Sequence, residues 1–93
     1  MTLRRKLVIR NRQGLHARPA ALFVRLANTF DSEITVRRGR EKVNGKSIMG
    51  ILMLGCEKGS QIEIAAEGAD ARGALDELSR LVTKELPELE KER

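Results

Sequence analysis

The only histidine of this 93-residue chain, His16, stands in the stretch NRQGLHARPAALFVRLA, residues 11–27. Gly14 precedes it, Arg18 and Pro19 follow it, and an apolar helical pattern begins around it. A lone imidazole can be a structural hydrogen-bonding group, a metal ligand, a general base or a nucleophile. The structural role is the ordinary one. Zinc asks for three or four ligands, and no second histidine or neighbouring cysteine is present. No serine or cysteine nucleophile stands in a recognisable motif for a base to activate.

The local physics favours the imidazole itself as nucleophile. Pro19 fits the first turn of a helix, where its missing N–H breaks no bond. That places His16 at or beside the helix N-cap, next to unpaired N–H groups and the positive end of the helix dipole. Arg18 adds a guanidinium suited to phosphate oxygens. Gly14 lets the chain turn sharply and leaves the ring exposed. A nucleophile then stands inside an anion trap. Such a group can accept a phosphoryl group, and the phosphoramidate stays reactive enough to pass it on.

The rest of the chain must hold that loop in place. Its length supports one domain with a single modest core. Hydrophobic residues are 41% and charged residues 33%, as in a globular chain rather than a disordered one. No apolar run approaches the roughly 20 residues of a membrane helix. The N-terminus MTLRRKLVIRN lacks a signal-peptide apolar stretch. The single Cys56 offers no disulfide framework, so a buried, inert thiol in the cytoplasm is expected. Residues 1–46 carry twelve Lys/Arg against three Asp/Glu, and residues 47–93 carry six against ten. His16 thus lies in a basic half-molecule, which attracts anions or is merely a solvated basic surface.

Periodicity supplies the elements. RRKLVIRN alternates and predicts a strand with Leu7 and Ile9 inward. Leu22, Phe23, Leu26, Ala27 and Phe30 share a helical face, with Arg18, Arg25 and Asn28 opposite. SEITVRR predicts a strand with Ile34 and Val36 inward, and REKV its hairpin partner across a Gly39-Arg40 turn. SIMGILMLG suits strand or helix by periodicity alone. Ser47 as an N-cap and the Met and Leu content select helix. QIEIAAE is a strand with Ile62, Ile64 and Ala66 inward. Ala71, Ala74, Leu75, Leu78, Leu81 and Val82 mark a last helix, expected to stop at Pro87 and leave residues 87–93 as a charged, frayed tail. The order βαββαβα predicts a two-layer α+β domain over residues 1–86, with a sheet covered on one side by helices. Strand order stays open, since a ferredoxin-like sheet begins with the same string.

GLHARPA at residues 14–20, followed some thirty residues later by KSIMG at 46–50, resembles the HPr phosphocarriers of the bacterial phosphoenolpyruvate-dependent phosphotransferase system. The likeness runs over roughly residues 3–86. It implies an open-faced β-sandwich, with four antiparallel strands and three helices on one side. It implies that His16 takes a phosphoryl group on Nδ1 from phosphorylated enzyme I and delivers it to an EIIA-type domain, with Arg18 steadying the group. The protein would be a carrier regenerated each cycle, not an enzyme with its own turnover, and would need no cofactor or metal.

Ser47 reads first as a helix cap, worth about 1 kcal/mol. The resemblance adds a second role, as the target of an HPr kinase/phosphorylase. A phosphate is electrostatically welcome at a helix N-terminus, and its added charge would repel an acidic enzyme I face. On the following helix, Ile51 and Leu54 share the sheet side, which turns Ile48, Met49 and Leu52 outward. An exposed Ile/Met/Leu patch beside basic residues suits docking, although all could be core. By resemblance the docking surface joins His16 and Arg18 with Ala17, Ala21, Lys46, Ile48, Met49 and Leu52. A monomer is the expectation for a shuttle that changes partners.

Two other readings stay open. A nitrogen-related carrier would use the same His16 chemistry for regulation without sugar transport. The segment LMLGCEKGSQIEIAAEGADA resembles that branch, while the serine of KSIMG resembles the kinase-regulated one. A small nucleic-acid-binding domain would suit the basic half. However, Phe23 and Phe30 lie on the apolar helix face, so no aromatic stacking platform remains.

Overall fold

The computed structural model describes residues 2–91. Strand β1 (Thr2–Val8) leads to helix α1 (Ala17–Ala27), then strands β2 (Glu33–Arg38) and β3 (Glu41–Asn44). Helix α2 (Ile48–Leu54), strand β4 (Gln61–Glu67) and helix α3 (Ala71–Arg80) follow. A π-helical turn (Leu81–Glu85) carries the chain into helix α4 (Leu86–Lys91).

The strands form one antiparallel sheet in the order β1-β4-β2-β3. Sequence pattern left this order open, and the structure sets the last strand at the centre, with Leu7 opposite Ile62 and Val36 opposite Ile64. Ile34, Val36, Ile62, Ile64 and Ala66 point to the buried face, while Glu33, Arg37, Gln61 and Glu67 face solvent. That alternation is the physical content of a sheet covered on one side. Phe23 and Ala27 of α1, Ile51 and Leu54 of α2, and Ala74, Leu75 and Leu78 of α3 complete the core. Among the described residues no helix is long and apolar enough to cross a membrane.

Several polar contacts tie helices to sheet. Arg5 of β1 bonds Asp76 at 2.9 Å and the Ser79 hydroxyl at 3.2 Å on α3. Asp70 accepts from the N–H groups of Asp31 (2.9 Å) and Ser32 (3.0 Å) and from the Ser32 hydroxyl, clamping the start of α3 to the turn before β2. Arg38 donates to the Leu54 and Gly55 carbonyls, both at 3.1 Å, and so caps the C-terminus of α2. Part of the basic half therefore braces the fold instead of forming an open anion field.

The C-terminal expectation needs correction. The helix does not stop at Pro87, and residues 87–91 lie in helix α4. The Leu86 N–H bonds the Leu81 carbonyl, a π-type step that inserts one extra residue. Pro87 is then the second residue of α4, immediately after this π-type step. Leu86 is buried, and Glu90 bonds the loop before His16. The rest of the predicted tail, residues 92–93, lies outside the described residues.

Candidate functional site

Three anchors fix the chain around His16. Gly14 lies at φ +61°, a conformation that L side chains rarely adopt. A Cβ there would sit 2.2 Å from the Cys56 carbonyl oxygen, so glycine is also required for space. Leu15 is buried, and its N–H donates to that same carbonyl at 3.0 Å. Past the histidine, Pro19 and Ala20 are buried in the base of α1. His16 is thereby held between two buried segments while its own ring is only half-buried.

His16 is the N-cap of α1, with extended backbone at φ −116° and ψ 158°, and its side chain makes no capping hydrogen bond. The N–H groups of a first helical turn have no intrahelical acceptor. Here neither the cap side chain nor an acidic residue in the first turn supplies one. Ala17 adopts φ +52°, the one non-glycine residue with positive φ among the described residues. An alanine in that region carries of order 1–2 kcal/mol of backbone strain. The strain sits next to the imidazole.

Arg18 is exposed and lines a cleft of about 340 Å³ beside the start of α1, together with Arg12, Pro19, Leu22, Leu89 and Glu90. His16 is not among the residues that line it. Ala17 and Ala21 are exposed on the same helix.

The second helix lies alongside. Asn28, at the end of α1, donates to the Lys46 carbonyl at 3.2 Å, linking it to the start of α2. Ser47 caps α2 as expected, its hydroxyl accepting from the Gly50 N–H at 3.1 Å. Gly50 allows a close approach, since a Cβ would meet the Val43 Cβ at 3.2 Å. Ile51 and Leu54 are buried, while Ile48 (39%), Met49 (62%) and Leu52 (37%) are exposed. Met53, at 75%, is more exposed than any of these and was missed by the sequence reading. Its position four residues after Met49 could have found it.

Lys46, expected in the docking surface, makes an internal bond as well. It is half-buried and its ammonium donates to the Phe30 carbonyl at 2.6 Å. A long flexible stem can fold back onto the last unpaired carbonyls beyond a helix, and here it does. Cys56 is fully buried, and burial pushes its thiol pKa upward despite nearby Arg38. Asn11, buried beside the loop, and Glu90 on α4 were not foreseen.

The matches with known proteins agree with this geometry. A family profile described as "PTS HPr component phosphorylation site" matches residues 3–84. The HPr-like protein Crh of Bacillus subtilis (strain 168) is 40% identical over 84 residues, covering 90% of this chain and 99% of that protein. The phosphocarrier protein HPr of Treponema pallidum (strain Nichols) is 45% identical over 78 residues, covering 84% of this chain and 89% of that protein. Among solved structures, HPr-C-His from Thermoanaerobacter tengcongensis superimposes with a TM-score of 0.88 at 44% identity, covering 90% of this chain and 94% of that one. A structure described as an HPr dimer from the same organism superimposes at 0.73 with 46% identity, covering 86% and 92%. The fold and the histidine loop define a small α+β carrier-type domain. The chain belongs to the HPr family, the phosphocarrier family of the phosphotransferase system.

Proposed function

We propose that His16 is the phosphoryl acceptor of a cytoplasmic phosphotransferase chain. The single observation that carries this reading is the open start of α1: an uncapped helix N-terminus with a half-buried imidazole as its cap residue and Arg18 one step inside. His16 Nδ1 attacks the phosphorus held on phosphorylated enzyme I. A P–N bond forms to His16 as the donor's bond to phosphorus breaks and its electron pair returns to the donor. The first-turn N–H groups and the Arg18 guanidinium receive the phosphoryl oxygens. An EIIA-type domain then takes the group by the reverse chemistry. Partners dock on Ala17 and Ala21 of α1 and on Ile48, Met49, Leu52 and Met53 of α2, with Lys46 at the edge. Ser47, the N-cap of α2 next to that patch, is the proposed site of regulatory phosphorylation by an HPr kinase/phosphorylase.

The likeness to an HPr-like protein Crh favours a second reading, in which the same scaffold serves regulation more than sugar transport. The nitrogen-related branch belongs to this class. One relative is described as a dimer, so the oligomeric state of this chain is itself a quantity to measure.

The test is a reconstituted chain of phosphoenolpyruvate, enzyme I, this protein and candidate EIIA domains. Label should pass through the wild type to an EIIA domain and should not pass through His16→Ala. Passage through His16→Ala at the wild-type rate refutes the proposal. Acceptance by the protein without onward transfer to any EIIA domain favours the regulatory reading.

A further inference from the structure

Helix α4 ends against the loop that carries His16. The Glu90 carboxylate accepts from the Arg12 N–H at 2.7 Å through one oxygen and from the Gln13 N–H at 2.9 Å through the other. The second oxygen also lies 3.4 Å from Asn11 Nδ2, which donates to the Gly14 carbonyl at 2.9 Å. The Gly14 N–H in turn bonds the Asn11 carbonyl at 3.2 Å, and Leu15 is fixed to Cys56. Hydrogen bonds thus run from Glu90 through Asn11 to Gly14, two residues before His16.

These bonds have the features of a built contact. Two consecutive backbone N–H groups converge on one carboxylate, a charge-assisted arrangement stronger than neutral pairs. Asn11 is buried, so its side chain is not exchanging freely with water. Leu86 is buried beneath α4, and Leu89 faces Pro19 and Leu22 across the cleft beside Arg18. The family match ends at residue 84, so the segment that supplies Glu90 lies beyond it.

We propose that α4 is a strap and Glu90 a positioning residue for phosphoryl transfer, holding loop 11–14 in the conformation that presents His16. This inference rests on the phosphoryl-acceptor reading of His16. Glu90 acts through the loop, since its hydrogen bonds run to residues 11–13. Without the strap, the loop spends less time in the competent geometry, and apparent reactivity falls by that fraction.

Two variants and two readouts test it. Glu90→Gln keeps the size but replaces one acceptor oxygen with an NH2 group that cannot accept. Deletion of residues 87–93 removes the strap entirely. We expect hydrogen exchange at the Arg12 and Gln13 amides to quicken about tenfold in both, while sheet amides such as Ile64 keep their protection. We expect kcat/KM for phosphorylation by enzyme I and phosphoenolpyruvate to fall by a similar factor, with Glu90→Asp recovering part of both effects. Unchanged exchange at residues 12 and 13 overturns the strap. So does quickened exchange with unchanged kcat/KM, which would leave Glu90 a purely structural clasp. If even the wild type accepts no phosphoryl group, the reading of His16 fails, and Glu90 as a positioning residue for transfer fails with it. Exchange at residues 12 and 13 would then still show whether α4 clasps the loop, so the two failures remain distinguishable.

Discussion

The two helices that face each other at the site begin in opposite ways. Helix α2 starts at Ser47, whose hydroxyl takes the Gly50 N–H and closes the first turn. Helix α1 starts at His16, whose side chain takes none, and is followed by a residue at positive φ and by a proline. The same backbone feature is satisfied by a side chain in one helix and not in the other. A closed start adds stability; on the proposed reading, the open start with an imidazole in the cap position adds chemistry. The contrast teaches that a missing cap can be as informative as a present one when the residue in its place carries a lone pair.

Gly14→Ala should break the open start most severely. Positive φ and a backbone oxygen at 2.2 Å together predict a loss of about 2–4 kcal/mol. Denaturant unfolding checks this, and a variant as stable as wild type would mean that the loop is not anchored as described. Arg18→Ala should slow phosphoryl acceptance by about ten- to hundredfold without abolishing it, because one charge-assisted donor is lost while the helix donors remain. An unchanged rate in rapid-quench kinetics would remove Arg18 from the site.

The closed start predicts smaller effects. Ser47→Ala should lower stability by about 1 kcal/mol, the usual worth of an N-cap, without altering phosphorylation of His16. Ser47→Asp should keep the cap, and with it the melting temperature, while weakening enzyme I binding in titration calorimetry through added negative charge. Collapse of the Ser47→Asp fold would mean that Ser47 matters chiefly as a cap.

Acid should report on the two clamping carboxylates. The Asp70 carboxyl is held below its ordinary range by the Ser32 hydroxyl and the Asp31 N–H, and that of Glu90 by the Gln13 and Arg12 N–H groups. The folded protein therefore holds these protons less tightly than the unfolded chain does. Their contribution is complete above the ordinary carboxylate pKa of about 4 and is lost as pH falls through the lower folded values. Carboxyl NMR titration should show both midpoints displaced downward, and ordinary midpoints would mean that the clamps are open in solution.

Much of the carrier geometry was legible in the sequence because it depends on local signals. Alternation in QIEIAAE and SEITVRR, the proline after HAR and the serine before IMGILML each act within one element. Pairing of β1 with β4 was not legible, since nothing local distinguishes it from other antiparallel orders. The passage through Pro87 was hidden because the breaker rule assumes regular α-helical bonding, and a π turn shifts the register by one residue. The carbonyls bonded by Lys46 and Arg38 were not legible either, since tertiary contact brings them there. Glu90 was invisible for the same reason: its partners lie 77 and 78 residues away along the chain. Ala17 carries no sequence sign of its positive φ, which the buried segments on either side impose.

The central claim is that the open start of α1 exists to receive a phosphoryl group on His16. Phosphorus NMR and intact mass on wild type, His16→Ala and Ser47→Ala, each incubated with phosphoenolpyruvate and enzyme I, test it most directly. The account predicts one acid-labile phosphoramidate on wild type and Ser47→Ala, and none on His16→Ala, with all three folded. A phosphoryl group that persists on His16→Ala, or that is absent from a folded wild type while a known carrier is labelled beside it, would contradict it.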